Sequence, residues 1–194
     1  MVKIKENQKT IPKRKSRKIS WETFQKKYLT KEDNYKYEWL NGIVEKTSRT
    51  MNKKQLYIQD NLIDFLYSIK SKYQIAGQLI SEGDNFFLKH HRRPDIAYYT
   101  RQQLLDLEKD KYTIPEFIIE VISPNDIAYE INKKINDYRN AGVKIIWHLY
   151  PEEQEVHIYK NNALEMEIKR GEELCSAEAV IKGFRITASN IFKK

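Results

Sequence analysis

Cysteine and long apolar runs are scarce in this sequence of 194 residues, and each scarcity excludes a class of protein. The single cysteine, Cys175, can form neither an intrachain disulfide nor a structural zinc site, which favours a reducing compartment. No apolar stretch reaches the roughly 18 residues of a membrane-spanning helix, and residues 1–18 lack the apolar segment of a signal peptide. We therefore expect a cytoplasmic domain, long enough for one core.

Positive charge is concentrated at one end of the chain. The sequence has 35 Lys and Arg against 27 Asp and Glu, a formal net charge of +8. Residues 1–18 hold eight bases and one acid, so the remainder is almost neutral. We interpret residues 1–18 as a basic, flexible arm and residues 19–194 as a single domain. The arm could neutralise nucleic-acid phosphates, although a solvated tail without a partner is an equal alternative.

The hydrophobic pattern predicts a mixed α/β domain with a central sheet flanked by helices. Asn41-Gly42 is typical of a two-residue β-hairpin turn, and Phe117–Ile122 is an apolar run typical of a strand buried on both faces. The predicted elements are, in order, a helix over 20–29 with Ser20 as its N-cap, a hairpin of strands 35–40 and 43–47, a helix over 51–72, strands over 74–80, 86–89 and 95–99, a helix over 102–109, a strand over 117–122, a helix over 126–141, strands over 144–149, 155–159 and 163–169, and a short amphipathic segment near 191–192.

Two carboxylates stand where a purely structural sequence would not place them. Glu120 interrupts the most apolar strand, between Ile119 and Val121, where burial of an unpaired carboxylate is costly. A structural ion pair with an internal base is the alternative for Glu120. Asp95 follows Pro94 at the start of another predicted strand, and taken alone it is typical of a turn or cap.

Lys134 has an unusual position in the helix that follows this strand. Ile127, Ile131 and Tyr138 recur at helical spacing and define the stripe expected to face the sheet. At about 100° per residue, Lys134 lies at the border of that stripe, whereas Lys133 points to solvent. A lysine at this border can bend its amine over the sheet edge or simply cover apolar surface with its stem.

Together, Asp95, Glu120 and Lys134 suggest one reaction type. Two carboxylates from adjacent strands can hold a hard divalent cation, and Mg²⁺ typically combines one or two carboxylates with waters and phosphate oxygens. Such an ion polarises a phosphodiester and activates a bound water, and a lysine can stabilise the charge that develops on the phosphate. The three residues therefore predict metal-assisted phosphodiester hydrolysis.

The spacing of these residues resembles the PD-(D/E)XK nuclease superfamily and, within it, the bacterial putative restriction endonuclease family. The resemblance covers roughly residues 35–194, and its motifs are specific in their order rather than one by one. They are Pro94-Asp95, Glu120-Val121-Ile122-Ser123-Pro124, Lys134, Tyr138, Ala141-Gly142-Val143, Trp147, the hairpin Tyr37-Glu38-Trp39-Leu40-Asn41-Gly42 and the closing Gly183-Phe184-Arg185-Ile186.

The resemblance implies a restriction-endonuclease-like fold, DNA as the substrate and Mg²⁺ as the metal, with Mn²⁺ as an alternative. By the same match, Asp95 and Glu120 would be the metal ligands and Lys134 the catalytic lysine. The superfamily's usual lysine position is Ile122 here, and its relocation to the next helix is a known variation of the family. Cutting both strands with one site per chain would favour a homodimer. Two positions depart from the pattern, since Gln55 replaces a usual histidine and Tyr150 a usual aspartate.

Three functions remain open from the residues. A metal-dependent DNA endonuclease is the leading hypothesis, and a catalytically inactive DNA-binding protein on the same fold is the alternative, which Gln55 and Tyr150 favour slightly. A protein-interaction module is the third. Among weaker signals, His90-His91-Arg92-Arg93 could guide a phosphate towards Asp95. Glu45 could add a carboxylate to the site, although an exposed strand residue is favoured, and His148 is expected to be a packed or hydrogen-bonded side chain.

Overall fold

The computed structural model describes residues 17–48, 53–109, 111–161 and 165–194. Most of the basic arm lies outside these ranges. So do residues 51–52 of the predicted helix over 51–72 and residues 163–164 of the predicted strand over 163–169. The helices are α1 (Trp21–Phe24), which continues as a π-helical segment (Gln25–Leu29), α2 (Lys53–Tyr73), α3 (Arg101–Leu107), α4 (Ala128–Ala141) and α5 (Ala188–Ile191). The strands are β1 (Tyr35–Leu40), β2 (Ile43–Ser48), β3 (Gln78–Ser81), β4 (Asn85–Phe87), β5 (His90–Arg92), β6 (Ile96–Tyr99), β7 (Phe117–Val121), β8 (Ile145–Tyr150), β9 (Glu155–Lys160), β10 (Met166–Arg170), β11 (Leu174–Ser176) and β12 (Arg185–Thr187).

A six-stranded mixed sheet forms the centre of the domain, in the order β10-β9-β8-β7-β6-β3. β7 and β8 are parallel and are joined through α4, whereas the other neighbouring pairs are antiparallel. Every residue of β7 is buried, because a parallel strand joined by a crossover helix is covered on both faces. The predicted α/β fold with a central mixed sheet and flanking helices is confirmed.

The two faces of the central sheet pack against different helices. Phe117, Ile119 and Val121 of β7 lie in the cluster that includes apolar side chains of α2 and α5. Ile118, between them, lies in the opposite cluster with Ile135 and Tyr138 of α4. Since side chains alternate along a strand, Glu120 must lie on the α4 face, and this assignment places it under the helix that carries Lys134.

A second sheet of four strands, in the order β2-β1-β5-β4, stands beside the first. The predicted hairpin is confirmed, with Asn41 and Gly42 both at positive φ, 47° and 96°. Both residues of a type I′ turn need this conformation. Phe24, Tyr37 and Trp39 form a small apolar cluster between this sheet and the N-terminal helix. The hairpin therefore belongs to a separate sheet that adjoins the central one.

Local signals explain most of the element boundaries. Ser20 caps α1 by accepting the backbone N–H of Thr23, and Gly142 ends α4 in the left-handed conformation, as such a glycine typically does. The strand predicted over 74–80 begins only at Gln78, because Gln74 adopts φ 55° just after α2. The prediction for 86–89 was also shifted, since β4 ends at Phe87 and the unpredicted β5 follows. β11 and β12 were not predicted at all.

One prediction for α4 was wrong. Ile127 does not face the sheet, because it is the N-cap of α4 with an extended backbone and is 67% exposed. Ile131 and Tyr138, by contrast, pack on the sheet as expected. Periodicity cannot identify where the first helical turn begins, and a residue before that turn does not follow the helical phase.

Within the described ranges, no helix is both long enough and apolar enough to cross a membrane.

Candidate active site

Asp95 and Glu120 lie opposite each other at one end of the central sheet. β6 and β7 pair in antiparallel register, with Ile96 opposite Ile119, so one further step places Asp95 opposite Glu120. Residues directly opposite in such a pair project from the same face, with Cβ atoms about 5 Å apart. Asp95 Oδ2 also accepts the backbone N–H of Val121 at 2.8 Å. The structure therefore brings the two predicted carboxylates together, on the face that α4 covers.

α4 supplies two side chains to Glu120. Lys134 Nζ lies 3.1 Å from Glu120 Oε2, and the Tyr138 hydroxyl donates to Glu120 Oε1 at 2.5 Å. Because Lys134 and Tyr138 are four residues apart, they stand one above the other on the same helix face. The lysine thus reaches over the sheet, which is the first of the two arrangements that its helical phase allowed.

A second lysine, which the sequence analysis did not identify, holds the other carboxylate. Lys36 of β1 is buried and its Nζ lies 3.0 Å from Asp95 Oδ1. Lys36 lies in β1 of the hairpin sheet and Asp95 immediately precedes β6 of the central sheet, so no local pattern links them. We call Asp95, Glu120, Lys36 and Lys134 the carboxylate–lysine cluster. It contains two acids and two bases, with one lysine on each acid.

The two carboxyl groups of this cluster differ in pKa. Burial raises the pKa of Glu120 above its ordinary value, and the neighbouring negative charge of Asp95 adds to the rise despite the opposing effect of Lys134. Burial also acts to raise the pKa of Asp95, but the ammonium groups of Lys36 and Lys134 outweigh burial and hold it below the ordinary value. Two acids in one site with pKa values shifted in opposite directions are typical of functional sites.

A second group of charges, the Arg92 cluster, consists of Arg92, Glu38, Glu45 and Asp137. Arg92 is 1% exposed, and its guanidinium reaches carboxylates from three elements, β1, β2 and α4. The contacts are Nη1 to Glu38 Oε2 at 2.7 Å, Nη1 to Glu45 Oε2 at 3.2 Å, Nη2 to Asp137 Oδ2 at 2.6 Å and Nε to Asp137 Oδ2 at 3.1 Å. The cluster ties the hairpin sheet to the helix that carries Lys134.

The expectation for His90-His91-Arg92-Arg93 was wrong. Arg93 and His91 are buried and both hold Asp84, with Arg93 Nη2 at 3.1 Å and His91 Nε2 at 2.7 Å from its carboxylate oxygens. Arg92 is enclosed in its own cluster. Carboxylates of the same domain already occupy these side chains, so they stabilise the junction of the two sheets and do not guide a phosphate. Glu45 was also misassigned as exposed, since it contacts Arg92 and Lys133.

His148 lies on β8 at the register position beside Glu120. It is fully buried, and its ring packs edge-on against Tyr159 with centroids 5.0 Å apart. Burial lowers its pKa to about 3, so the imidazole is neutral at ordinary pH. Neither ring nitrogen has a hydrogen-bond partner among the described residues. The expectation of a packed side chain is confirmed.

The carboxylate pair is compatible with a divalent cation, on the evidence of its donor atoms. The described residues contain no group of three or more His, Cys, Asp and Glu side chains suited to hold a metal ion, so protein ligands would be limited to two. Mg²⁺ commonly uses one or two carboxylates and completes its shell with waters and phosphate oxygens. The Asp95 side chain is 24% exposed, and each carboxylate oxygen can accept more than the single donor it now holds. Asp95 and Glu120 therefore fit such an ion.

Comparisons with known proteins agree with this fold. The family model Uma2, described as "Putative restriction endonuclease", matches residues 21–189. The chain belongs to this family. The crystal structure of a putative nuclease belonging to DUF820, from Anabaena variabilis ATCC 29413, has 20% sequence identity and a TM-score of 0.72, and the match covers 84% of this chain and 93% of that one. At this identity the similarity shows the fold alone. No curated protein matches the chain.

Proposed function

We propose that this member of the Uma2 family is an endonuclease that hydrolyses phosphodiester bonds in DNA with Mg²⁺, or alternatively Mn²⁺. The observation that carries the proposal is the convergence of Asp95, Glu120 and Lys134 from β6, β7 and α4. Family membership agrees with the reaction class. Such a site needs two acids on one face and one base within reach of them, and residues far apart in sequence meet this requirement here.

Asp95 and Glu120 would hold the cation, which when bound supplies a Lewis acid for the phosphate and lowers the pKa of water. Tyr138 fixes the orientation of Glu120 by donating to Oε1, and the backbone N–H of Val121 fixes Asp95. Lys134, with three donors and one of them directed at Glu120, can turn a free N–H towards a phosphate oxygen. It would stabilise the negative charge that develops there.

A DNA-binding protein without cleavage is the second candidate, and a specific observation favours it. Both carboxylates already hold a lysine ammonium, so the site is electrostatically balanced without a metal. Tyr150, where the family usually has an aspartate, stacks at a ring distance of 4.3 Å from His157. It therefore contributes no carboxylate to this end of the sheet.

Plasmid nicking tests the two candidates. Supercoiled plasmid is incubated with the wild-type protein and Mg²⁺, Mn²⁺ or EDTA, and the open-circular product is followed with time. The proposal predicts nicking with metal and none with EDTA. Because they remove an ionised ligand while keeping side-chain shape, Asp95→Asn and Glu120→Gln should each lower the nicking rate by about a hundredfold or more.

Two matched variants control for general effects of losing a carboxylate. Asp60→Asn changes an exposed acid of α2, and Glu130→Gln changes an acid near the start of α4 that forms an ion pair with Lys133 at 3.4 Å. Both should nick at the wild-type rate. A wild-type protein that shifts DNA in a native gel yet nicks it with neither metal would support the non-cleaving candidate. Equal nicking by Asp95→Asn and the wild type would reject this site.

A further inference from the structure

Lys36 is the one member of the carboxylate–lysine cluster for which the proposed reaction gives no role. Lys36 is only 8% exposed, and a lysine is almost never buried without a partner of opposite charge. That partner is Asp95, at 3.0 Å. Glu120 and Glu38 also act electrostatically on its ammonium. A buried cation on the carboxylate that is most accessible to solvent requires an explanation beyond packing.

The two oxygens of Asp95 are not equivalent. Oδ2 accepts the backbone N–H of Val121, an interaction within the β6–β7 pair that is fixed by the fold. Oδ1 is held by Lys36, a side chain from the other sheet. Oδ1 is therefore the oxygen whose present partner can be displaced without breaking the central sheet. A cation that binds Asp95 through this oxygen would meet the ammonium of Lys36.

An ammonium and a divalent cation on the same carboxylate oxygen repel each other strongly, because the site is buried and the local dielectric constant is low. Lys36 extends from a strand, so its flexible stem can withdraw the amine. Glu120 differs, since its Oε1 is held by the buried Tyr138 hydroxyl and its Oε2 by Lys134, whose ammonium the proposed reaction keeps at the site. Competition with a metal is therefore centred on Asp95 and Lys36.

We propose that Lys36 is an internal counter-cation of Asp95 that competes with the divalent metal ion for Oδ1. This inference rests on the proposed function for the identity of the ligand class. The ammonium neutralises Asp95 while the protein is metal-free, and it lowers the affinity of the free protein for divalent cations.

Mn²⁺ binding to the full-length protein without DNA tests this role. Isothermal titration calorimetry compares the wild type with Lys36→Met, which keeps the apolar stem and removes the charge. Lys36→Met should bind Mn²⁺ about tenfold more tightly, since it removes a positive charge in contact with the metal ligand. Lys36→Arg keeps the charge and should bind like the wild type. Lys133→Met removes a neighbouring surface charge and should change the affinity by no more than about twofold.

A double variant and a second readout separate competition from a general structural effect. Combining Lys36→Met with Asp95→Asn should abolish the gain in affinity, because the competing group acts through Asp95. In thermal unfolding, Mn²⁺ should raise the Tm of Lys36→Met by more than it raises that of the wild type. Lys36→Gln, which can still donate to Asp95, is the second neutral variant if Lys36→Met unfolds.

The outcomes distinguish this inference from the proposed nuclease function. A gain in Mn²⁺ affinity that requires Asp95 supports the role of Lys36 even if the wild type cleaves no DNA. If the neutral variants bind Mn²⁺ no more tightly than Lys133→Met, or if their gain survives Asp95→Asn, Lys36 is a structural partner and the inference is wrong. Absence of Mn²⁺ binding in every variant overturns it as well.

Discussion

The carboxylate–lysine cluster and the Arg92 cluster both pack against α4, yet their acids are held in different ways. In the Arg92 cluster, one guanidinium donates hydrogen bonds to three acids, Glu38, Glu45 and Asp137. In the carboxylate–lysine cluster, two acids face each other across a strand pair and each holds one flexible lysine. Both clusters reach solvent at one acid, through Glu45 in the first and Asp95 in the second, with 27% and 24% of the side chain exposed.

The pKa shifts follow this difference. Burial acts to raise the pKa of Glu38, but Lys134, Arg92 and Lys36 outweigh it and lower that pKa to about 2. The pKa of Glu120 is raised, because burial and the facing carboxylates outweigh the lysines. Although two lysines match the two acids by count, the raised pKa shows that burial of ionised Glu120 is offset less completely than burial of ionised Glu38. The comparison favours a structural role for the Arg92 cluster, and the ligand-binding role of the other cluster stays a proposal.

The largest expected effect is on stability, from Arg92→Met. This variant leaves Glu38 and Asp137 buried without the guanidinium that bonds to both, and breaking a buried ion pair in this way costs about 3–5 kcal/mol of unfolding free energy. Urea unfolding at neutral pH measures the loss.

Arg101→Met is the matched control for Arg92→Met. Arg101 is exposed at the start of α3, so its loss should change the unfolding free energy by no more than about 0.5 kcal/mol. If Arg92→Met lowers the unfolding free energy no more than Arg101→Met does, the Arg92 cluster does not hold the two sheets and the helix together. The structural role inferred for this cluster would then be wrong.

Acid titration of stability tests the opposite pKa shifts. The native pKa of Glu38 is about 2, below its ordinary value of 4.5, so its stabilising effect is full above pH 4.5 and is lost as the pH falls towards 2. Between pH 4.5 and 3 this loss amounts to about 2 kcal/mol. Glu38→Gln should therefore show a flatter dependence of unfolding free energy on pH than the wild type, as followed by urea unfolding.

Glu120→Gln should change the same profile in the opposite direction. Because the native pKa of Glu120 is raised, the folded protein takes up this proton before the unfolded chain does, and stability gains from it as the pH falls. Without the ionisable carboxyl of Glu120, the unfolding free energy should fall more steeply with decreasing pH than it does in the wild type. If both glutamine variants flatten the profile, the distinction between the two acids is wrong.

Sequence patterns predicted the elements and residues whose signals are local. The hairpin turn, the N-cap Ser20 and the buried strand β7 each depend on a few neighbouring residues. Glu120 and Lys134 were identifiable because each conflicts with the apolar pattern around it. Their catalytic roles stay predictions, and what the structure adds is their contact at 3.1 Å.

Pairings between distant strands were beyond these local signals. β1 is buried at five of its six positions, including Lys36 and Glu38, although its alternation of charged and apolar residues is typical of a half-exposed hairpin. The partners that permit this burial, Asp95 and Arg92, lie more than fifty positions away. For the same reason the sequence suggested that Arg92 was available to a ligand, since Glu38 and Asp137 come from elsewhere in the chain.

The smallest expected effect comes from Lys133, the neighbour of Lys134 on α4. One step along a helix turns the side chain by about 100°, so Lys133 bonds to Glu45 and Glu130 at the margin of the Arg92 cluster. Since partly exposed ion pairs contribute little, Lys133→Met should change the unfolding free energy by no more than about 0.5 kcal/mol and leave plasmid nicking at the wild-type rate. Lys134→Met, measured beside it, should lose nicking, because its amine is the one directed at Glu120. Equal nicking by the two variants would mean that the direction of the amine is irrelevant to activity.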